Sequence, residues 1–508
     1  MRLPSRVVAV AALVAALAAL AACGGDVAPE RSAATVPQVD ADAPNIVVIM
    51  TDDQTLESMR VMPRTQAAIV DQGTTFSDFV TSFPMCCPSR ATYLTGQYAT
   101  NHGIVDNVAP GGGYYMLDNR NTLPVWLERA GYTTSFVGHY LYRYGSRDAL
   151  EIPPGWDRWF STIDPSTFHY FDYTVNDNGE LRDFGTAPED YQTDVMADRA
   201  VEELAALAAA DEPFFFNFWT LAPHVAEPVH TGDAPDLQAV PAPRHRDRFR
   251  EEWWTSEQAP SFDEEDVSDK PISVQLNSRM LPVTQIAAQA HYQRALESLL
   301  AVDEAVERMV DTLEQAGVLD DTVIVYTSDN GFLQGEHRFR DAKTLPYEEA
   351  IHVPLVVRGP GFPAGATAPQ LTANIDLAPT VLDLAGVEGS RVLDGESLLP
   401  LAGEPSPPPD DRAIYLQNGP GGHEAGTETS ALGAVPHWDG VRVPGYTYVE
   451  YDRGGRELYD LAADPWQLEN RAGDPAFAPL ERHLADLLEQ LRNCAGDECR
   501  EPRFSPPG

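Results

Sequence analysis

Two places in the sequence put hard oxygen donors directly after short apolar runs. Asp52-Asp53 closes a run that starts at Asn45, and Asp329-Asn330 follows the run Thr322 to Tyr326. Three carboxylates and a carboxamide oxygen make an all-oxygen set that suits calcium or magnesium rather than zinc. Either pair alone is ordinary turn chemistry, because Asp and Asn are common after strands; the matched pair points to a metal. A third segment reads Cys86-Cys87-Pro88-Ser89-Arg90, followed by Leu94-Thr95-Gly96. Pro88 suits the first turn of a helix. Arg90, four residues beyond Cys86, returns to the same helix face. The adjacent cysteines are poorly placed to bond to each other, because the geometry strains the backbone.

The segment from Cys86 to Gly96 resembles the sulfatase signature: Cys, any residue, Pro, Ser, Arg, with Leu-Thr-Gly shortly after. The resemblance runs from Pro44 to about Asp474 and takes in Thr51-Asp52-Asp53-Gln54, Pro223-His224, Ser328-Asp329-Asn330-Gly331, Gly335-Glu336-His337, Lys343, Asp376-Leu377-Ala378-Pro379-Thr380 and Glu457-Leu458-Tyr459-Asp460-Leu461. Within the family, the double Cys is most similar to N-acetylglucosamine-6-sulfatases.

The resemblance implies an α/β, alkaline-phosphatase-like fold: a large mixed, mostly parallel sheet flanked by helices, with a smaller C-terminal antiparallel sheet. It implies that a formylglycine-generating enzyme converts Cys86 to formylglycine, whose hydrate attacks sulfur. It implies calcium, with magnesium as the alternative, held by Asp52, Asp53, Asp329, Asn330 and the converted residue 86. Arg90 is expected to hold the hydrate, Lys343 the sulfate oxygens, and His224 to protonate the leaving alcohol. The helix starting at the signature would aim its positive end at the developing charge. The expected substrate is a sulfated glycan, such as a glycosaminoglycan fragment or 6-O-sulfated N-acetylglucosamine.

The chain departs from the family at Gly138-His139-Tyr140-Leu141, where sulfatases usually show Gly-Lys-Trp-His. A sulfate-binding lysine becomes His139, so a fixed charge becomes a titratable one. The family histidine becomes Leu141, which leaves the aldehyde-regenerating step without its usual base; His337 and His102 are candidates to replace it. Two other readings stay open. One is a phosphoesterase of the same superfamily; the other is a lipid-anchored glycan-binding protein that has lost catalysis.

These groups need elements to position them. Continuous apolar runs at Asn45 to Met50, Thr133 to Val137, Pro213 to Phe218, Thr322 to Tyr326 and Val353 to Val357 read as strands buried on both faces of a parallel sheet. Ligands in such sheets collect beyond the strands' carboxyl ends. The clearest helix is His291 to Ala316, where apolar residues recur every three or four positions up to Gly317; its acids are expected on a solvated face. Tyr446 to Tyr451 alternates like an exposed antiparallel strand, turns at Gly454-Gly455 and resumes at Glu457 to Tyr459, and a helix from about Leu480 to Arg492 follows. Asp106 to Asn121 and Pro228 to Asp269 are the candidate substrate-selecting loops.

The chain has 508 residues, enough for one large domain or for a large domain plus a smaller one. Its 77 acidic and 35 basic residues give a charge of -42, which disfavours nucleic acid and anionic lipid as partners. An anionic substrate therefore requires a local positive island. Arg2, Arg6, the apolar run Val7 to Ala22 and Leu20-Ala21-Ala22-Cys23 look like a bacterial lipoprotein signal. The expectation is a signal over 1–22, lipidation at Cys23, a tether over 23–43, a catalytic domain over 44–402, a linker over 403–411 and a C-terminal subdomain over 412–508. The chain is thus expected to be exported, at the cell surface or in the periplasm, and membrane-bound only through its lipid. Export also exposes it to oxidising conditions, under which Cys494 and Cys499 are expected to pair.

Overall fold

The computed structural model describes residues 39, 43–227, 238–403, 409–419 and 436–507. The expected signal, Cys23, nearly all of the tether and positions 404–408 of the expected linker lie outside the described residues. So do positions 228–237 of the second candidate loop.

Strand β1 (Asn45–Asp52) sits near the centre of a ten-stranded sheet, and its side chains alternate between two hydrophobic layers. Ile46, Val48 and Met50 enter one layer, while Val47 and Ile49 enter the other. Burial of each such side chain stabilises by about 1.5–3 kcal/mol. The other strands are β2 (Thr74–Val80), β3 (Thr133–Gly138), β4 (Arg158–Thr162), β5 (Tyr173–Asp177), β6 (Glu180–Phe184), β7 (Phe214–Pro223), β8 (Thr322–Ser328), β9 (Leu355–Arg358) and β10 (Ala366–Ala373). Their order is β10-β2-β9-β8-β1-β7-β3-β4-β5-β6. The central strands β8, β1, β7, β3 and β4 run parallel, whereas β9 is antiparallel to its neighbours β8 and β2, and β5 to its neighbours β4 and β6. The mixed, mostly parallel sheet expected from the sequence is therefore present.

Helices α1 (Cys86–Thr95), α2 (Leu123–Ala130) and α5 (Leu377–Ala385) contribute to one apolar layer, and α3 (Gln192–Leu207) and α4 (Pro282–Ala316) to the other. Helix α4 starts at Pro282 rather than His291. Its first turns carry no apolar stripe toward the core, since Val283 and Ile286 are exposed. The acids of α4 are not all solvated as expected. Asp303 is buried and accepts the backbone N–H of Arg64 at 3.2 Å and of Thr65 at 2.7 Å. Glu297 is buried against Arg294 and accepts the Phe249 N–H at 3.2 Å.

A second sheet, β11 (Ile414–Gln417), β12 (Trp438–Val443), β13 (Tyr446–Tyr451) and β14 (Arg456–Asp460), is antiparallel throughout. Strand β13 is largely buried rather than exposed, because α6 (Ala478–Leu491) packs against it. This sheet does not keep its core to itself. One apolar cluster unites Trp438, Tyr448 and Leu484 with Leu333, Leu345 and Tyr347 from the segment after β8. Cys494 and Cys499 are disulfide-bonded. No helix among the described residues is long and apolar enough to cross a membrane.

Candidate active site

Strand register builds the site. Thr51 pairs with Ser328 and Asp52 with Pro223, so Asp52, Asp329 and His224 emerge side by side where β1, β8 and β7 end. Gly138 pairs with Trp219, which brings His139 to the same edge. Asp53 turns the chain off β1 in the left-handed region at φ 67°, a conformation Asp tolerates better than most residues. One carboxylate oxygen each from Asp52, Asp53 and Asp329 lies within 4.8 Å of the others.

Helix α1 brings the cysteine to this edge. Met85 is extended before it, Pro88 falls in the first turn where no N–H is needed, and Gly96 at φ 66° ends it. All ten of its residues are buried. Ser89 Oγ, bonded to the Asp329 carbonyl, pins the helix to β8, and Asn374 Nδ2 donates to Ser89 Oγ at 3.0 Å. The Cys87 N–H donates to Asn107 Oδ1 at 2.9 Å, which ties the first candidate loop to the head of the helix. Cys86 Sγ then stands 3.4 Å from Asp52 Oδ1, and Lys343 Nζ donates to it at 3.0 Å. Burial, then the Asp52 carboxylate, push the Cys86 thiol well above its usual range, so as a cysteine this position holds a neutral S–H.

Arg90 does more than face residue 86. Its Nε donates to Asp329 Oδ2 at 2.8 Å and its Nη2 to Asp52 Oδ2 at 2.7 Å. Its Nη1 donates to the carbonyls of His139 at 2.8 Å and Tyr140 at 2.6 Å. The guanidinium is fully buried and lies over the Trp219 ring. Most of its hydrogen bonds therefore hold the metal-type carboxylates and the β3 turn, leaving one Nη2 hydrogen for a group at the helix head. Lys343, the second buried cation, also donates to Asp53 Oδ1 at 2.7 Å.

His224 Nδ1 lies 2.7 Å from the Val225 carbonyl, an acceptor, so the proton is on Nδ1. Its Nε2 points into the site, 3.6 Å from Asp53 Oδ2. His139 Nε2 is 3.3 Å from Asp52 Oδ2 but off the line of a hydrogen bond. Burial, then Arg90, lower His139 to about 4, so it does not replace the family lysine's fixed charge at neutral pH. Phe168 lies 4.9 Å from each of these two imidazoles and forms a wall between them. Leu141 is buried in the apolar layer.

The other two histidines are not brought to Cys86 by any contact. His337 Nδ1 bonds Glu264 at 2.7 Å and its ring stacks on Tyr347. His102 Nε2 bonds Thr92 Oγ1 at 3.1 Å, and its Nδ1 accepts the Ile104 N–H at 3.1 Å. Burial, then Arg391, push His102 down to about 3. Neither is placed to serve as the replacement base.

The donor set fits a hard cation. Asn330 Nδ2 donates to Asp53 Oδ1, while the buried Asn330 Oδ1 has no hydrogen-bond partner among the described residues. Burial favours protonation of Asp52, but Arg90, His224 and Lys343 outweigh it and hold Asp52 well below the carboxylate range. Burial and then the Asp52 charge push Asp329 up. The fixed cations thus fall short of the carboxylates, a deficit that a divalent ion would make good. Asn107, Asn374 and Phe168 were not singled out from the sequence. No local motif marks them, because their positions depend on contacts between distant segments.

A mixed α/β sheet with a carboxylate cluster able to hold a metal, two buried cations and a helix-head residue at its carboxyl edge defines an ester hydrolase of the alkaline-phosphatase-like class. The sulfatase family model matches residues 44–387, and the C-terminal model of N-sulphoglucosamine sulphohydrolase matches 335–494. The chain belongs to the sulfatase family, the formylglycine-dependent hydrolases of sulfate esters. It is 32% identical over 504 residues to an arylsulfatase of Volvox carteri, covering 90% of this chain and 76% of that one. It is 33% identical over 509 residues to the N-acetylglucosamine-6-sulfatase of Homo sapiens, covering 92% and 87%. A protein solved with its substrate D-glucosamine-2-N,6-O-disulfate superposes with a TM-score of 0.71 at 25% identity, covering 91% of this chain and 99% of that one.

Proposed function

We propose that this sulfatase removes sulfate from a sulfated amino sugar or glycosaminoglycan fragment, with calcium at Asp52, Asp53, Asp329 and Asn330 and formylglycine at residue 86. The observation that carries the reading is the convergence of Asp52 Oδ1 and Lys343 Nζ on Cys86 Sγ, at 3.4 and 3.0 Å. Calcium would neutralise sulfate oxygens, and the hydrate of the converted residue would supply the nucleophilic oxygen. The sulfur of Cys86 marks where that oxygen would stand.

The chain's own side chains account for the rest. Lys343 bridges Asp53 and residue 86, so its ammonium can hold a sulfate oxygen without moving far. Arg90 fixes the two carboxylates and keeps one N–H for the hydrate. His224, with Nδ1 committed to Val225, can present a proton on Nε2 to the departing alcohol when charged. The 6-O-sulfated amino sugar follows from the activity carried by the human relative's name and from the substrate in the superposed structure. Maturation by a formylglycine-generating enzyme, and export with a lipid on Cys23, belong to the same proposal.

The test is release of sulfate and of phosphate from matched esters, including 6-O-sulfated N-acetylglucosamine, by protein made alongside a formylglycine-generating enzyme. Mass analysis of the peptide bearing residue 86 reports conversion, and Cys86→Ala is the control. Sulfate release that vanishes in the control supports the reading. Preference for phosphate esters, or an unconverted Cys86 in active protein, overturns it.

A further inference from the structure

The segment that leads into α4 and the first turn of α4 present apolar side chains to solvent. Ile272, Leu276, Leu281, Val283 and Ile286 are each between 54% and 68% exposed. Twelve large apolar side chains are exposed among the described residues, and five of them fall within these fifteen positions. Single exposed leucines are ordinary, whereas a cluster marks a surface that meets something. The backbone beneath is held in place: Val274 and Met280 are buried, and the Met280 N–H donates to Asp263 Oδ1 at 2.8 Å. Half-exposed Trp253 extends the patch, because the backbone N–H of its neighbour Trp254 donates to Gln289 Oε1 at 2.7 Å, one turn along α4 from Ile286.

The same stretch is stripped of acids. From Lys270 to Leu296 the sequence holds no Asp or Glu, whereas the chain's average, 77 acids in 508 residues, would place about four there. Its cations are matched by acids from outside it. Arg279 Nε lies 3.0 Å from Asp263 Oδ2, Arg294 pairs with Glu297 at 2.5 Å and Asp247 at 3.2 Å, and the buried Lys270 Nζ lies 3.3 Å from Glu264 Oε1. The patch is therefore apolar and close to neutral, on a chain whose formal charge is -42. This pattern says which kind of partner fits. A basic partner would be drawn to the carboxylates elsewhere on the surface. A second copy carries the same charge and is repelled by those carboxylates, so two copies can approach closely where acids are absent.

We propose that residues 272–286 form the core of an interface through which two copies of this chain pair, the same patch meeting itself across a two-fold axis. In such a contact each apolar side chain is buried once in either copy, and no carboxylate of the stretch has to leave water. A bilayer bearing anionic lipid is a poorer occupant, because it would repel the acidic remainder of the surface. The pairing does not depend on the reaction assigned to residue 86.

The test is sedimentation velocity on the full chain with Cys23→Ser, which removes any association driven by a lipid, from about 0.1 to 100 µM. Flotation with phosphatidylcholine vesicles is the second arm. The expected result is a monomer–dimer equilibrium whose dissociation constant rises about 100-fold or more in Leu276→Glu and in Ile286→Glu, since each substitution sets a charge on both sides of the contact. Both side chains are exposed and sit on separate elements, so if one variant fails to fold, as read by circular dichroism, the other decides. A parent that stays monomeric over this range, whether or not it floats with the vesicles, or a folded variant that associates as the parent does, would overturn the proposal.

Discussion

The Lys343 ammonium donates to Cys86 Sγ at 3.0 Å while also donating to Asp53 Oδ1 at 2.7 Å. One side chain therefore ties the nucleophile position to the carboxylate cluster. Lys343→Met is expected to lower kcat by about 10²–10³, the loss typical of one preorganised charge at a transition state. Steady-state kinetics on converted enzyme check this; a rise in KM with kcat unchanged would mean that Lys343 only binds.

Arg90 is expected to matter as much for stability as for chemistry. Arg90→Leu leaves the buried Asp52 and Asp329 without their closest cation and should destabilise by about 3–5 kcal/mol. Urea unfolding measures it. Arg90→Lys should recover only part, because an ammonium cannot span both carboxylates and the two carbonyls.

His224→Gln should lower kcat by about 10²–10⁴ on sugar sulfates, whose alcohols leave poorly without a proton. On a nitrophenyl sulfate, whose leaving group needs no acid, the loss should be much smaller. Comparing the two substrates separates proton donation from a structural role.

Asn330→Ala removes the buried carboxamide oxygen that has no hydrogen-bond partner among the described residues. The variant should need a higher calcium concentration for half-maximal activity and for half-maximal thermal stabilisation. Chelation should abolish activity in both proteins and be reversed by calcium.

Glu348 supplies a pH prediction away from the site. Burial works to raise it, but Arg442 and His352 outweigh burial and hold it at about 2 rather than 4.5. A lowered folded value means that its contribution to stability is fully present above the unfolded value and is lost as pH falls through the folded one. Between about pH 4.5 and 2, Glu348→Gln should therefore lose less stability than the parent, as measured by urea unfolding across that range.

The central strands and the cluster at their ends were legible because buried parallel strands are continuous apolar runs and hard-oxygen donors stand out after them. Asp52, Asp329 and Cys86 come together as their spacing and the family signature imply. The replacement base was not legible. His337 and His102 look available in sequence, yet each is committed to local partners, Glu264 and Tyr347 for one and Thr92 for the other. The acids of α4 misled for a related reason: a backbone N–H from a short helix distant in sequence can draw a carboxylate inward, and periodicity does not record it. The expected boundary at 403–411 also hides a shared core, because Leu345 and Trp438 belong to one cluster.

The complete burial of α1 has a consequence for the order of events in the life of the chain. Cys86 is 4% exposed, and its helix is sealed by Ser89 on one side and Asn107 at its head. Under the proposed function, an enzyme acting on that thiol would meet a site closed by the folded sheet. On the proposed function, conversion would then have to precede folding, giving each molecule a single window in which to become active, and a chain that folded first would stay silent unless it unfolded again.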